Sequence, residues 1–292
     1  MIRKSAQVRM ESVQCFSPDG LHNMAYKEWG EADNSDVLLC VHGVTRVSDD
    51  FDDLARELSS HYRIICPDVV GRGRSGWLRN PQHYQVPQYV SDMVTLLARV
   101  NAPNLSFLGT SMGGLIGMGL ASLPGNPIKK LILNDIGPVL NLPALSRIGS
   151  YIGQPMRFDT FEEGANFIRS ISLSFGEHTP EQWHKFCKDV LRQDKDGLWI
   201  RHYDLKIAMS FQAINPDLAQ AMQVMMWAAY DAITCPTLLL RGADSDLLSI
   251  ETAKEMMKRG PKPQMIEFEK VGHAPTLVHQ DQIDAVKNYL LG

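Results

Sequence analysis

The pentapeptide Gly109-Thr-Ser111-Met-Gly113 constrains the fold of this chain more than any other feature of its sequence. It follows the apolar run Leu105–Leu108, and small and apolar residues follow it in turn, so we predict a strand before it and a helix after it. A strand that passes into a helix over so few residues forms a strained turn, which leaves no room for side chains two positions from the serine. The pattern therefore predicts a serine held at the end of a sheet strand, facing the N-terminus of a helix.

Short β-rich apolar runs alternate with helix-like segments through most of the remaining chain. Nearly continuous apolar strands separated by helices predict an α/β fold, with a mostly parallel sheet covered by helices on both faces. The predicted strands are Val37–Val41, Tyr62–Cys66, Leu105–Leu108, Lys130–Leu133, Thr237–Leu240 and Met265–Phe268.

The alternation stops between about residues 139 and 230, where the sequence shows helical patterns and no clear strand. Helix starts with capping-box patterns are predicted at Asp159–Glu162 and Thr179–Gln182. We therefore expect a core domain made of residues 1–138 and 231–292, and a helical cap made of residues 139–230. An insertion between two strands of a sheet should lie over one edge of that sheet.

The composition excludes several classes of protein. A hydrophobic content of 44% is typical of a globular chain, and a net charge of −4 does not suggest the basic face that nucleic-acid binding needs. No apolar run reaches the roughly 20 residues of a membrane helix. The five cysteines are scattered and odd in number, which favours reduced thiols and a cytoplasmic location. We expect a small-molecule substrate as partner, and a monomer or homodimer.

Two later strands end in residues that could activate Ser111. The strand Met265–Phe268 is followed by His273, and the strand Thr237–Leu240 is followed by Asp246. A histidine can take the proton of the serine hydroxyl and return it to a leaving group, because its ordinary pKa is near neutral. A carboxylate on the other ring nitrogen fixes the tautomer and stabilises the imidazolium. We predict a triad of Ser111, His273 and Asp246.

Two other aspartates remain alternatives to Asp246. Asp244 lies on the same loop, and Asp135 follows the strand Lys130–Leu133. Asp246 is preferred because it precedes an apolar turn and a new helix start at Ser249.

A third motif, His42-Gly43-Val44, ends the strand Val37–Val41. A turn at this position can supply a backbone N–H to the oxyanion of a tetrahedral intermediate. We predict that the N–H groups of Val44 and Met112 form this oxyanion hole. His42 itself is interpreted as a buried structural histidine rather than as a second base.

Taken together, these residues resemble the α/β-hydrolase superfamily, in its serine-nucleophile, esterase-like branch with a helical cap. The resemblance covers about Val37 to Leu291 and includes the loop Asp68–Ser75. It implies an eight-stranded sheet with the site beneath the cap, and cleavage of an ester, lactone or thioester through an acyl-enzyme. The alternatives are a C–C bond hydrolase, a catalytically silent binding homologue and a cofactor-free haloperoxidase or lyase activity. A serine nucleophile argues against the dehalogenase and epoxide-hydrolase branches, which use aspartate.

No cofactor or metal is expected. The segment Gly71–Gly76 fits a dinucleotide-binding pattern, but Trp77, Pro81 and Pro87 follow it where a helix should open. No strand-ending acid for a ribose lies about 20 residues further on. We interpret this segment as a structural loop.

Two residues are predicted to bind substrate. Arg46, close to the expected oxyanion hole, could bind an acidic group through its planar fork of donors. Trp227, at the end of a methionine-rich run, could line the acyl pocket, although such runs more often pack in a core. The alternative for Arg46 is a salt bridge with Asp49, Asp50 or Asp52.

Overall fold

An eight-stranded sheet forms the centre of the computed structural model, which describes residues 8–139, 141–212 and 215–292. Its strands are β1 (Arg9–Ser17), β2 (Gly20–Trp29), β3 (Asp36–Val41), β4 (Arg63–Pro67), β5 (Asn104–Thr110), β6 (Ile128–Asn134), β9 (Thr237–Gly242) and β10 (Gln264–Phe268), while β7 (Leu191–Gln193) and β8 (Trp199–Arg201) form a separate hairpin. The strand order is β1-β2-β4-β3-β5-β6-β9-β10. The pairs β1–β2 and β2–β4 are antiparallel, and the other neighbouring pairs are parallel. The predicted fold class is confirmed.

Helices flank this sheet and fill the segment between β6 and β9. Among the described residues, no helix is both long enough and apolar enough to cross a membrane. They are α1 (Asp52–Leu58), α2 (Val86–Val100), α3 (Met112–Ala121), α4 (Leu142–Ile152), α5 (Phe161–Ser170), α6 (Pro180–Val190), α7 (Met209–Gln212), α8 (Pro216–Asp231), α9 (Ile250–Met256) and α10 (Gln280–Leu291).

The central strands are apolar along their whole length because both faces of the sheet are covered. On β3, Val37, Leu39 and Val41 belong to one buried cluster, while Leu38 and Cys40 belong to another on the opposite face. The first cluster includes residues of α2 and α3, and the second includes residues of α1 and α10. Burial on both faces is the reason for the continuous apolar runs, and all six predicted strands are present to within two residues at each end.

The edge hairpin of β1 and β2 was not predicted from the apolar runs. Most side chains of β1 are exposed or only half-buried, because one face of this edge strand is open to solvent. Polar residues such as Glu11 and Ser12 therefore interrupt its pattern. The strand pairs with β2 from Arg9↔Glu28 to Ser17↔Gly20, so a tight turn joins the two.

The segment between β6 and β9 is mainly helical, as predicted, but the expectation that it lacks strands is wrong. Strands β7 and β8 are only three residues long, too short to give a detectable period. The turn between them is held by Asp194, whose carboxylate accepts the N–H groups of Asp196 and Leu198 at 2.9 and 3.1 Å. Gly197 completes the turn with a φ of +82°.

This inserted segment has a buried cluster of its own. Ile168, Trp183 and Phe186 pack together there, and Val47 from the loop after β3 joins them. The predicted capping box at Thr179 is confirmed, while the helix start near Asp159 begins one residue later, with Thr160 as its N-cap. The division into a core domain and a cap with the stated boundaries stays a prediction.

Phe107 offers a test of the packing between β5 and α3. Its side chain is fully buried in the first cluster and lies against Gly117 of α3. We expect Phe107→Ala to lower the free energy of unfolding by about 3–5 kcal/mol, because it leaves a cavity in the core. Denaturant unfolding measures this change. Phe16→Ala, at a side chain that is 64% exposed, should stay within about 0.5 kcal/mol of the wild type, and equal losses in the two variants would contradict the account.

Candidate active site

The predicted strained turn at Ser111 is present between β5 and α3. Ser111 has φ 54° and ψ −116°, a backbone conformation that is costly for a residue with a side chain. The turn also lies very close to β3, since a Cβ on Gly113 would come within 2.0 Å of the carbonyl oxygen of Val41. A Cβ on Gly109 would lie 2.2 Å from the carbonyl oxygen of Gly113. These close approaches are the physical reason for both glycines of the pentapeptide.

The structure brings His273 to Ser111, as predicted. The Nε2 atom of His273 lies 2.8 Å from the Oγ atom of Ser111, and the imidazole is 10% exposed. Asn134, the last residue of β6, ties the surrounding loops together, because its amide donates to Thr110 Oγ1 and to the carbonyl of Pro275. The serine and the histidine are therefore fixed relative to each other by the ends of three strands.

The carboxylate on the other ring nitrogen belongs to Asp135. Its Oδ2 atom lies 2.8 Å from His273 Nδ1 and accepts the hydroxyl of Ser245 at 2.6 Å, while Oδ1 accepts the N–H of Gly242 at 3.0 Å. The side chain of Asp135 is fully buried. A buried carboxylate with this many donors is held in one orientation, and it holds the imidazole in turn.

The prediction that Asp246 orients His273 is wrong in this geometry. Asp246 is 47% exposed and forms an ion pair with Arg147, with its Oδ2 2.6 Å from Nη2. Strands β6 and β9 are neighbours that end at the same edge of the sheet, so either end could have supplied the acid. Asp135 directly follows β6 with a φ of 56°, whereas on the loop after β9 it is Ser245 that contacts the site. Asp244 is exposed as well.

The roles of Val44 and Met112 as oxyanion donors stay a prediction. Val44 lines the pocket around Ser111, and Met112 opens α3, where the first N–H groups of a helix have no partner within it. The fully buried Arg72 links the two segments. Its Nε donates to the carbonyl of Val44 at 2.9 Å, and its Nη2 lies 3.3 Å from Met112 Sδ.

His42 is structural, in agreement with its interpretation from the sequence. Its Nε2 accepts the N–H of Val69 at 2.9 Å, which leaves Nδ1 to donate to the carbonyl of Gly43 at 2.7 Å. Complete burial lowers the pKa of His42 and keeps the ring neutral. Both nitrogens are therefore used to shape the loop after β3, and neither is available as a base.

A pocket above Ser111 is lined by the strand ends on one side and by the inserted segment on the other. Its apolar wall comes from Ile148, Ile168, Ile171 and Val190. The remaining lining residues near the serine are Gly43, Val44, Thr45, Thr110, His273 and Ala274, and three arginines, Arg46, Arg147 and Arg201, also reach the pocket.

The two residues predicted to bind substrate have other contacts. Arg46 lines the pocket, but its guanidinium is paired with Asp50, with Nε 2.9 Å from Oδ2, and it donates to the carbonyl of Phe186. This salt bridge with Asp50 is one of the alternatives to substrate binding that the sequence left open for Arg46. Trp227 is not among the residues that line the pocket; it packs against Tyr230 and lies under Arg259. The prediction of Trp227 as a pocket residue is therefore wrong.

No sequence pattern predicted Arg147, Tyr151 or Arg201 as site residues, and all three line the pocket. They lie on α4 and on the short strand β8, in a segment without a sequence motif that predicts a functional site. Their position depends on how the insertion folds over the sheet, which local patterns do not encode.

The glycine-rich loop after β4 is structural, because the carboxylate of Asp68 accepts the N–H groups of Ser48 and Arg74 across it. Among the described residues, Cys15, His22 and Asp92 lie close enough together to ligate a metal, but they do not line the pocket. Asp92 is already paired with His22, and burial raises the pKa of the Cys15 thiol to about 12, which disfavours the thiolate a metal would need.

Comparison with known proteins agrees with this architecture. A family model described as "Alpha/beta hydrolase family" matches residues 38–286. The chain is 51% identical over 291 residues to a 3-hydroxybutyrate-oligomer hydrolase of Cupriavidus necator, covering 99% of each chain. It is similar to an esterase of Escherichia coli, with 25% identity and coverage of 87% of this chain and 91% of the relative. The solved structure of an alpha/beta hydrolase from Novosphingobium aromaticivorans superposes with a TM-score of 0.85 at 34% identity, covering 97% and 98% of the two chains.

Paired variants test which aspartate serves His273. We expect Asp135→Asn to lower kcat for a simple ester by about 10⁴-fold, because an amide cannot stabilise the imidazolium and favours the wrong tautomer. Asp246→Asn removes only an exposed ion pair and should change kcat by less than about threefold. Steady-state kinetics with p-nitrophenyl butyrate measures both. A large loss in the Asp246 variant together with a small loss in the Asp135 variant would reverse the assignment.

Proposed function

Because the chain belongs to the alpha/beta hydrolase family, we propose that it is a serine hydrolase that cleaves ester bonds in short oligomers of a 3-hydroxy acid. The observation that carries this proposal is the continuous chain of hydrogen bonds from Asp135 through His273 to Ser111. An ordered nucleophile, base and carboxylate in a pocket is the arrangement that acyl transfer requires.

In the first half of the proposed reaction, Ser111 Oγ attacks the carbonyl carbon of the ester. His273 Nε2 takes the hydroxyl proton, and the buried carboxylate of Asp135 stabilises the resulting imidazolium. The negative charge that develops on the carbonyl oxygen is bound by the N–H groups of Met112 and Val44, with the dipole of α3 adding to the effect. His273 then gives its proton to the departing alkoxide oxygen, and the acyl group stays on Ser111.

In the second half, a water molecule replaces the alcohol. His273 takes a proton from this water as its oxygen attacks the acyl carbon, and the same N–H groups bind the second oxyanion. Collapse of the intermediate releases the carboxylic acid and returns the proton to Ser111. The reaction consumes one water per ester bond, and every group it uses belongs to the chain itself.

Two observations support the substrate class. The relative of Cupriavidus necator, which acts on 3-hydroxybutyrate oligomers, is 51% identical over 99% of both chains. The pocket wall formed by Ile148, Ile168, Ile171 and Val190 is suited to short branched aliphatic chains.

The assembled hydrogen bonds between His273, Ser111 and Asp135 weigh against a silent binding homologue. We further propose that residues 139–230 act as the cap of this site.

Labelling with a fluorophosphonate, read by intact mass and peptide mapping, tests the nucleophile. We expect one adduct, on Ser111, because among the serines that the structure describes only Ser111 has a histidine nitrogen at hydrogen-bonding distance to remove its proton. The labelled enzyme should no longer hydrolyse the linear dimer of 3-hydroxybutyrate.

Ser111→Ala should lose both the label and the hydrolysis. Ser174 also lines the pocket and is exposed, so Ser174→Ala is the matched control and should still be labelled. A label on another serine, or dimer hydrolysis that persists in Ser111→Ala, would overturn the mechanism. Labelling of Ser111 without any dimer hydrolysis would retain the mechanism and reject the substrate.

A further inference from the structure

The three arginines that line the pocket differ in how their charge is balanced. Arg46 is paired with Asp50, and Arg147 is paired with Asp246. Arg201 is only 3% exposed, and in the part of the chain that the structure describes it forms no ion pair with a carboxylate. A buried cation without a counter-ion is costly, so its presence in a pocket wall calls for an explanation.

The hydrogen bonds of Arg201 leave its guanidinium incompletely satisfied. Nη1 donates to the carbonyl of Tyr151 at 2.6 Å, and Nη2 donates to the carbonyl of Gln154. These bonds hold the end of α4 against β8. The Nε atom is buried and has no hydrogen-bond partner among the described residues. A guanidinium carries five N–H donors, so Arg201 retains capacity for another acceptor.

The surroundings of Arg201 favour an anion over a neutral acceptor. The guanidinium carbon lies 5.6 Å from the centre of the Phe167 ring and 5.2 Å from that of Tyr203. Burial lowers the pKa of Arg201 because it disfavours the charged form. A bound carboxylate would supply both the missing charge and the missing acceptor, in the side-on geometry that arginine prefers.

We propose that Arg201 binds the free carboxylate of the substrate, so that the pocket selects linear hydroxy-acid oligomers in their free-acid form. This proposal rests on the proposed function for the reaction itself. A linear oligoester of a hydroxy acid carries one free carboxylate, at one end. Anchoring that end determines which ester bond reaches Ser111, so the oligomer is shortened from its carboxyl end rather than cut at random internal bonds.

Arg201 is better placed for this role than the other two arginines. Arg46 and Arg147 already have carboxylate partners, and an incoming anion would have to displace them. The side chain of Arg147 is also 44% exposed, so water screens its charge. A charge-assisted bond formed in a buried site is stronger than one formed at an exposed rim.

Kinetics with a matched pair of substrates tests the anchor. The linear dimer of 3-hydroxybutyrate and its methyl ester share the same internal ester bond and differ in the terminal carboxylate. We expect the wild type to prefer the free acid, and Arg201→Gln to raise KM for the free acid by about 10- to 100-fold while changing kcat/KM for the methyl ester by less than about threefold. Arg201→Lys should recover part of the loss, because it keeps the charge without the planar fork.

Controls separate recognition from folding. Arg192 lies on the same hairpin as Arg201 but is exposed and outside the pocket, so the Arg192→Gln variant should behave as the wild type. Equal losses on the free acid and the methyl ester in Arg201→Gln would mean that Arg201 only supports the fold, and the proposal would be overturned. A wild type that does not distinguish the two substrates would also overturn it.

Binding to the Ser111→Ala variant tests the anchor independently of hydrolysis. Calorimetric titration should give tighter binding of the free dimer acid than of its methyl ester, and the added Arg201→Gln change should abolish the difference. If the free acid binds more tightly but the wild type hydrolyses neither substrate, the role of Arg201 as a carboxylate anchor would be retained and the proposed function rejected. Hydrolysis of both substrates at equal efficiency, with no difference in binding, would reject the anchor and retain the proposed function.

Discussion

The buried carboxylate of Asp135 is the constraint on which the site depends. A fully buried charge must be matched by donors, and Asp135 receives them from the backbone of Gly242, the hydroxyl of Ser245 and the imidazole of His273. These donors lie on or beyond the ends of β9 and β10, so one side chain joins three strand ends. The sheet must bring those ends to one edge before the histidine can face Ser111.

Parallel strand direction explains how much of the site could be predicted. The carboxyl ends of β3, β5, β6, β9 and β10 meet at one edge, so residues that follow predicted strands are brought together whatever the tertiary detail. This argument suffices to predict that Ser111 and His273 lie close together. It does not separate Asp135 from Asp246, because β6 and β9 are adjacent and aspartates follow the ends of both strands. The choice depends on a φ of 56° at Asp135, which the local sequence does not reveal.

The inserted segment was the least predictable part of the chain. Its helices follow from capping and periodicity, as at Thr179, but the hairpin of β7 and β8 has strands too short for a periodic signal. Arg201 ends that hairpin, and nothing in its neighbours distinguishes a pocket residue from a surface arginine. The nucleophile and base thus follow from motifs in the sheet, whereas the groups proposed to select the substrate come from a region defined by tertiary packing. Trp227 was predicted as a pocket residue from local composition alone, and it does not line the pocket.

Proton NMR of the hydrogen-bonded imidazole tests the central assignment most directly. The proton that His273 Nδ1 shares with Asp135 should resonate well downfield of the backbone amides, because it lies in a short bond to a buried carboxylate. We expect this resonance in the wild type and in Asp246→Asn, and we expect it to disappear in Asp135→Asn and in a His273→Gln control. A resonance that survives in Asp135→Asn and is lost in Asp246→Asn would contradict the account.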